Sequence, residues 1–354
     1  MSAPKVRDDL ALLEDYHSPQ VDVAVRLNTN ESPYPPPDAW RAALLEELQT
    51  VPFHRYPDRA ASELRAAIGE LHGVGPDHVL AANGSNEVIQ ALCLAFGGHG
   101  RTAAVFRPSY LMHPHIARIT GTEVLEGERD ADFALDMDQV DRVVRTHQPA
   151  LTFLCSPNNP TGMLEPGDAV TRVLELGSGV VVVDEAYGQF APGSAVDLVS
   201  DDRPLVVVRT FSKTWSMAGA RLGYLIGPPE IVRAVEAVLL PYHLDAMKQA
   251  AGRLALRFRP EMEARVAAIV EERGRISAAL ADLPVDTWPS SANFVLFRPH
   301  DKDGDGVWEQ LLERSVLVRN CCTGWPRLDG CLRVTVGTTA ENDAFLSALR
   351  EVLA

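Results

Sequence analysis

The chain has 354 residues, more than one hydrophobic core usually organises, so we expect a large domain with a smaller one beside it. Lys and Arg total 33 against 48 Asp and Glu, and the formal net charge of -15 disfavours nucleic acid as a partner. No apolar run approaches the roughly eighteen residues of a membrane helix, and residues 1–9 lack an apolar leader, so we predict a cytoplasmic protein without membrane contact.

The amino-terminal part combines a polar motif with a proline-rich arm. Residues 27–34 read Leu-Asn-Thr-Asn-Glu-Ser-Pro-Tyr, and prolines dominate residues 32–37. Proline lacks the amide donor that a central strand needs, so this arm should run extended over the surface.

Short runs rich in Val and Leu alternate with helical stretches between about residues 79 and 239. This alternation is typical of βαβ units and predicts an α/β fold with a mostly parallel, buried sheet. The predicted strands are residues 79–82, 103–106, 151–154, 180–183, 205–208 and 224–226. Each polar motif is expected at the carboxyl end of one such strand, so the motifs should converge on one crevice.

The pattern changes beyond residue 240. A helical stretch at 261–280 is followed by strands at 293–297 and 332–336, which indicates a small α+β domain. We therefore predict a large domain over residues 46–240 and a small domain over residues 241–354. Residues 1–45 would form an arm that packs on the small domain or on a partner subunit.

Two polar groups follow neighbouring apolar runs in the middle of the chain. Asp184 opens Asp-Glu-Ala-Tyr after run 180–183, and Lys213 lies in a Ser-Lys pair after run 205–208. A lysine at such a place can form a Schiff base, and a strand-end aspartate can keep a pyridine nitrogen protonated. Pyridoxal phosphate needs both groups, so we predict a site for this cofactor.

Further motifs in a fixed order extend this pattern into a family resemblance. Residues 155–162 read Cys-Ser-Pro-Asn-Asn-Pro-Thr-Gly after a third apolar run, and Arg221 follows Lys213 by eight residues. With these motifs the chain resembles the fold-type I aminotransferases, and within them the histidinol-phosphate aminotransferase branch. The resemblance extends over nearly the whole chain, with matching segments at residues 27–34, 56–58, 83–87, 240–244 and 332–337. The resemblance implies a large domain with a mostly parallel seven-stranded sheet beside a small α+β domain.

The resemblance also implies catalytic roles. Lys213 would bind the cofactor and move the substrate proton, and Asp184 would pair with the pyridine nitrogen. Tyr187 and Asn159 match the family's partners of the ring hydroxyl, and Tyr110 matches the aromatic residue that stacks on the ring.

The cofactor phosphate would lie at the start of a helix predicted at residues 88–96, where backbone amides favour an anion. The residues expected around this phosphate are Gly84, Ser85, Asn86, Thr210, Ser212 and Arg221. Tyr56 resembles a residue that reaches the phosphate of the neighbouring subunit, and it therefore implies a homodimer.

Four residues are expected to bind substrate: Asn30, Tyr34, Arg319 and Arg333. Arg333 matches the arginine that clamps the substrate carboxylate, a task suited to a planar two-pronged donor. Arg319 matches the position that binds the substrate's own phosphate. Residues 320–325 between these arginines depart from the family's usual residues.

The implied reaction converts histidinol phosphate and 2-oxoglutarate into imidazole acetol phosphate and glutamate, reversibly, in histidine biosynthesis. An aromatic amino-acid aminotransferase of the phenylalanine type and a phosphothreonine-type decarboxylase that uses the same cofactor stay open as alternatives. A noncatalytic cofactor-binding regulator is disfavoured because Lys213, Asp184 and Tyr187 are intact.

Three motifs that could suggest a metal are rejected. Residues 301–306 copy half of a calcium loop, but Leu312 stands where a bidentate Glu is required. The pair His113 and His115 lacks a third ligand, and residues 321–322, two cysteines, lack partners at ligand spacing. We expect no metal site.

Overall fold

The computed structural model describes Pro4 and residues 21–177, 179–322 and 325–354, so most of the first twenty residues of the predicted arm lie outside the described residues. The strands are β1 (Val25–Leu27), β2 (Val79–Ala82), β3 (Thr102–Arg107), β4 (Glu123–Glu128), β5 (Leu151–Cys155), β6 (Val180–Asp184), β7 (Leu205–Thr210), β8 (Gly223–Ile226), β9 (Val285–Thr287), β10 (Phe294–Pro299), β11 (Val316–Asn320) and β12 (Leu332–Thr335). The helices are α1 (Asp38–Leu48), α2 (Ser62–His72), α3 (Ser85–Phe96), α4 (Met112–Ile119), α5 (Met137–His147), α6 (Ala169–Leu176), α7 (Pro229–Val238), α8 (Ala246–Ala255), α9 (Arg259–Ala281), α10 (Gly304–Glu313) and α11 (Thr339–Leu353).

The larger sheet has the strand order β2-β8-β7-β6-β5-β3-β4, and β8 alone among these seven strands runs against the others. The prediction of a mostly parallel seven-stranded sheet is confirmed, as are all six predicted strands. The strand that the prediction missed is β4, an edge strand that pairs with β3 and carries three glutamates. Its polar residues obscured the apolar pattern of a strand, because an edge strand is not buried on both faces.

Both faces of this sheet are covered by helices. Along β6, Val181 and Val183 face a core built with α2, α5, α6 and α8, while Val180 and Val182 face a core built with α3, α4 and α7. This alternation follows from the two-residue period of a strand. A strand that must be apolar on both faces appears in the sequence as the unbroken valine run that predicted it.

The smaller sheet has the order β1-β11-β12-β10-β9, and all its pairings are antiparallel except that of β1 with β11. Helix α9 and strands β10 and β12 confirm the elements predicted there. Strands β1, β9 and β11 were not predicted, because runs of three to five residues give little periodicity to read.

The amino-terminal arm joins both parts of the chain. Strand β1 belongs to the smaller sheet, whereas Trp40 in α1 donates through its ring nitrogen to the Ala251 carbonyl of α8, 3.1 Å away. Helix α8 buries its small residues against the larger sheet. The domain boundaries at residues 45 and 240 stay predictions. Among the described residues, no helix is long and apolar enough to cross a membrane.

One edge of the larger sheet collects the polar motifs. The carboxyl ends of β5, β6 and β7 lie there, and so does the amino end of β8, because β8 is reversed. Arg221 precedes β8, so it reaches this edge from the start of a strand instead of the predicted carboxyl end. Gly223 at that start packs against the first turn of α3: an added Cβ would lie 2.3 Å from the Ser85 amide nitrogen.

We expect Gly223→Ala to lower the thermal midpoint of unfolding, because the backbone of α3 has no room to retreat; the loss should be about 1–3 kcal/mol. Gly274→Ala is the matched control. Gly274 lies exposed in α9 with no atom near its missing Cβ, and alanine is the better helix former, so the midpoint should rise. Equal shifts in the two variants would contradict the packing argument.

Candidate active site

A cavity of about 190 Å³ opens at this edge of the larger sheet and is closed on its other side by residues of β11 and β12. Thirteen of the predicted site residues line it: Asn30, Ser85, Asn86, Tyr110, Asn159, Asp184, Tyr187, Thr210, Ser212, Lys213, Arg221, Arg319 and Arg333. These residues come from distant parts of the chain. The expected convergence on one crevice therefore occurs.

Lys213 lies just past the end of β7, and its Nζ donates to the Thr29 carbonyl, 3.0 Å away. Burial in the cavity lowers the pKa of Lys213 to about 7, and the positive charges of Arg333 and Arg221 add to this effect while Glu31 opposes it. A lysine with such a pKa is largely unprotonated above neutral pH. The amine is therefore a competent nucleophile and base.

Asp184 is buried at the end of β6, with both carboxylate oxygens held. Oδ1 accepts from the Ala186 amide at 3.0 Å, and Oδ2 lies 2.9 Å from His113 Nε2. The His113 ring stacks on Phe153 with its centroid 4.8 Å away. This carboxylate is thus fixed in orientation and kept out of water.

No sequence pattern predicts a functional role for His113, which lacks the third ligand that a metal site needs. The structure places it in the core, where it holds Asp184 and lies edge-on to Tyr110 at 5.3 Å. A sequence signal was available, because His113 follows Tyr110 by three residues, a spacing that a turn at the start of a helix brings together; the His113 amide donates to the Tyr110 carbonyl at 3.1 Å.

Tyr187 and Asn30 form a contact between the two sheets. The Asn30 Nδ2 donates to the Tyr187 hydroxyl at 2.9 Å, and the Thr335 hydroxyl of β12 donates to Asn30 Oδ1 at 3.0 Å. Burial raises the pKa of Tyr187 to about 12, so its hydroxyl keeps its proton. That proton is available for donation into the cavity.

Arg333 on β12 is buried and also links the two sheets. Its Nη1 donates to Asn159 Oδ1 and its Nη2 to the Asn28 carbonyl, the latter at 3.1 Å. The buried Nε has no hydrogen-bond partner among the described residues. Since buried N–H groups are nearly always paired, the guanidinium is suited to an anionic ligand in the cavity.

Arg319 lies on β11 directly opposite Arg333 in the strand register, so the two side chains project from the same face of the smaller sheet. Both line the cavity, as do Cys321, Trp325 and Leu328, which the sequence did not assign to the site. Of the divergent residues 320–325, positions 323 and 324 lie outside the described residues.

An anion cradle lies at the other end of the cavity, around the start of α3. Gly84 has φ +86°, and an added Cβ there would lie 2.9 Å from Arg221 Nη2, so glycine lets the guanidinium approach. The Arg221 Nη1 donates to the Ser212 hydroxyl at 3.4 Å, and the Thr210 hydroxyl donates to it at 2.9 Å. Helix amides, hydroxyl groups and an arginine together fit a phosphate.

Three predicted residues do not line the cavity. Gly84 lies against the Arg221 guanidinium, and Tyr34 packs against the core of the smaller sheet. Tyr56 is 79% exposed and stacks on Tyr242 with ring centroids 4.4 Å apart.

The rejected calcium motif has a structural task. The Asp303 Oδ2 accepts from the Gly306 amide at 3.1 Å and so caps the start of α10. In the described part of the chain, no group of three His, Cys, Asp or Glu residues could hold a metal ion.

A buried lysine with a lowered pKa, a buried carboxylate and an anion cradle at the carboxyl edge of this sheet fit a pyridoxal-phosphate enzyme of fold type I. The family model described as "Aminotransferase class I and II" matches residues 22–349. The chain belongs to this family of aminotransferases, and its cofactor is pyridoxal 5'-phosphate.

Two relatives agree with this assignment, and a solved structure has the same fold. The histidinol-phosphate aminotransferase of Corynebacterium diphtheriae is 43% identical over 98% of this chain and 96% of its own. That of Mycolicibacterium smegmatis is 45% identical over 99% of this chain and 96% of its own. The solved structure of histidinol-phosphate aminotransferase from Sinorhizobium meliloti with pyridoxal-5'-phosphate has a TM-score of 0.85 and 23% identity, and the match covers 94% of this chain and 91% of that one.

The lowered pKa of Lys213 predicts a pH dependence for cofactor attachment. The rate at which the apoenzyme binds pyridoxal phosphate covalently should rise with pH through about 7 and then level off, because only the neutral amine attacks. Stopped-flow absorbance measures this rate. In Arg333→Gln a neighbouring positive charge is lost, so the profile should move to higher pH.

Arg350→Gln, which removes an exposed arginine in the last turn of α11, is the control and should leave the profile unchanged. A midpoint near the ordinary lysine value of 10.5 in the unmutated enzyme would contradict the effect assigned to burial.

Proposed function

We propose that the protein transfers the amino group of histidinol phosphate to 2-oxoglutarate, giving imidazole acetol phosphate and glutamate in histidine biosynthesis. The observation that carries this proposal is the pairing of Arg319 and Arg333 at opposite register positions in the wall of the Lys213 cavity. One cationic group for the phosphate of the donor and a second for the carboxylate beside the reacting carbon of 2-oxoglutarate suit an enzyme that alternates between these two substrates. The names of relatives more than 40% identical over nearly the whole chain support the same reaction.

When bound, pyridoxal phosphate supplies an aldehyde that takes up the amino group and a protonated ring that withdraws electrons from the substrate carbon. Asp184 is the residue we assign to the ring nitrogen, and the contacts from His113 and Ala186 keep it oriented. Asn159 and the protonated Tyr187 are assigned to the ring hydroxyl, and Tyr110 to the ring face.

The cradle at the start of α3 is assigned to the cofactor phosphate. Ser85, Asn86, Thr210, Ser212 and Arg221 would hold it there, and Gly84 permits the approach of Arg221. This phosphate would anchor one end of the cofactor. Lys213 would then lie at its aldehyde and Asp184 at its ring nitrogen.

Lys213 is the proposed acid and base. Its amine would take the proton from the amine-bearing carbon of the substrate and return a proton to the carbon that the cofactor's aldehyde supplies, on the other side of the transferred nitrogen. A pKa of about 7 allows both transfers near neutral pH, since efficient proton transfer needs a group that gains and loses its proton readily.

The two arginines divide the anion recognition. Arg333 would clamp a carboxylate through its planar fork, and Arg319 would bind the phosphate of the donor. Asn30 would help at the substrate end through its contact with Tyr187. A substrate contact by Tyr34 stays a prediction, because this side chain lies outside the cavity of its own subunit.

Arg319→Ala should lower kcat/KM for histidinol phosphate by roughly tenfold to a hundredfold, since a charged hydrogen bond is worth about 1.5–3 kcal/mol. Glutamate should lose much less, because Arg333 remains for its carboxylate. Single-turnover half-reactions with each donor measure the two effects. Arg333→Gln is the reciprocal variant, and it should harm glutamate more than histidinol phosphate.

Equal losses for both donors in Arg319→Ala would contradict this division of roles. If phenylalanine were the better donor of the unmutated enzyme, the aromatic aminotransferase would replace the proposal. Release of carbon dioxide in place of a keto product would favour the decarboxylase.

We also propose that the protein acts as a cytoplasmic homodimer with Tyr56 reaching the cofactor phosphate of the neighbouring subunit. Tyr56, Phe53 and Leu240 are largely exposed, and Tyr56 stacks on Tyr242. Exposed apolar and aromatic side chains of this kind are typical of a surface that a partner covers.

Mixing inactive Tyr56→Ala subunits with inactive Lys213→Ala subunits should restore up to about a quarter of the unmutated activity. Half of randomly mixed dimers are hybrids, and one of the two sites in a hybrid is intact. Asp184→Ala mixed with Lys213→Ala is the control and should restore none, because both residues line the same cavity. A fully active monomer in sedimentation would refute the dimer.

A further inference from the structure

The outer side of the cavity is formed by residues 325–331, which lead into β12 and which we call the outer-wall segment. It contains a short 3₁₀ helix, Pro326–Leu328. Trp325 and Leu328 line the same cavity as Lys213 and Arg319. The segment therefore puts a flat apolar surface beside the group that we assign to the distal anion of the donor.

The polar contacts between the outer-wall segment and the edge of the larger sheet are made by the Arg327 side chain. Arg327 Nη1 donates to the carbonyls of Arg129 and Asp130, at 2.7 and 3.0 Å, and Nη2 lies 3.3 Å from a Glu128 carboxylate oxygen. These acceptors lie at and just beyond the end of β4. The cavity wall beside Arg319 and Arg333 is thus held by residues 128–130, which are distant from both arginines in the sequence.

The anchor itself is rigid. Arg129 is buried and forms a two-pronged pair with Glu165, and it also donates to the carbonyls of Phe106 and Phe133, each 3.3 Å away. Such a buried, fully bonded pair has little freedom to move. Arg327 therefore ties the outer-wall segment to a part of the chain that has a fixed position.

Aromatic packing continues the same connection. Phe133 is buried, and its ring lies 4.9 Å from that of Trp288 and 6.3 Å from that of Trp325. The Arg327 guanidinium lies 5.7 Å from the Trp325 ring centroid. Arg327 and Phe133 thus connect Trp325 to the edge of the larger sheet, while Arg298 of β10 holds the same segment by donating to the Arg327 carbonyl.

We propose that Arg327 is a positioning residue for donor choice: by fastening Trp325 and Leu328 it preserves a flat apolar wall that receives the planar ring of the donor side chain. This inference rests on the proposed function, because it assigns the space between Lys213 and Arg319 to a ring. Glutamate has no ring and does not need this wall. Arg327 itself does not line the cavity.

The test compares ring-bearing donors with glutamate in Arg327→Leu. Single-turnover measurements with histidinol phosphate and with phenylalanine should show kcat/KM reduced roughly tenfold, mainly through KM, and glutamate should change by less than about twofold. Arg327→Lys should recover part of the loss, because an ammonium can still donate to the same carbonyls. Trp325→Ala should reproduce the donor pattern of Arg327→Leu by removing the wall directly.

Arg314→Leu is the matched control. Arg314 has similar exposure, donates to the Gln310 carbonyl at 3.0 Å and pairs with Glu351 at 3.3 Å, but it lies at the end of α10 away from the cavity. It should leave all donors unchanged. The proposal is overturned if Arg327→Leu and Trp325→Ala lower ring donors and glutamate equally, or if neither changes the ratio.

The measurements with phenylalanine distinguish a failure of the proposed function from a failure of the role assigned to Arg327. If the unmutated enzyme rejects histidinol phosphate, the proposed function fails, yet the ratio of phenylalanine to glutamate in Arg327→Leu still decides the role of Arg327. If histidinol phosphate is used and the ratio is unaffected, the role of Arg327 fails while the proposed function stands.

Discussion

The crowding of positive charge around a buried lysine amine is the constraint on which the site depends. Burial lowers the pKa of Lys213 most, and the charges of Arg333 and Arg221 lower it further; each guanidinium is held by protein contacts on one side of the cavity. In a chain whose net charge is -15, this is a local reversal of sign. A phosphate-bearing cofactor and an anionic substrate compensate these charges, and that complementarity provides selectivity for them.

A buried ion pair between Glu185 and Arg209 connects β6 and β7 on the side away from the cavity. Successive residues of a strand face opposite ways, so Asp184 faces the cavity while Glu185 pairs with Arg209 of β7, with 2.6 Å between nitrogen and oxygen. Removing one member of such a pair costs about 3–5 kcal/mol, because the other charge stays buried. Asp184 and the residues that precede Lys213 are therefore fixed relative to each other.

Much of this arrangement was predictable from sequence, for identifiable physical reasons. Strands such as β6 must be apolar on both faces, so they appear as valine runs, and the polar residues that end them mark the binding edge. Strand β4 was not predicted because an edge strand tolerates glutamates. The position of Arg221 was not predicted because it depends on the reversed direction of β8, which no local sequence pattern reveals. The contacts of His113 with Asp184 and of Asn30 with Tyr187 join residues 71 and 157 positions apart, and only the packed fold brings them together.

The central claim, that Lys213 carries the cofactor, is tested most directly by reducing the holoenzyme with borohydride and mapping the labelled peptide. The chain has only four lysines, and the others are Lys5, Lys248 and Lys302. Lys248 pairs with Asp245 at 2.8 Å, and Lys302 donates to the Val352 carbonyl of α11, so both are engaged away from the cavity. The account predicts label on Lys213 alone, and its loss in Lys213→Ala. Label on any other lysine in the unmutated enzyme would contradict it.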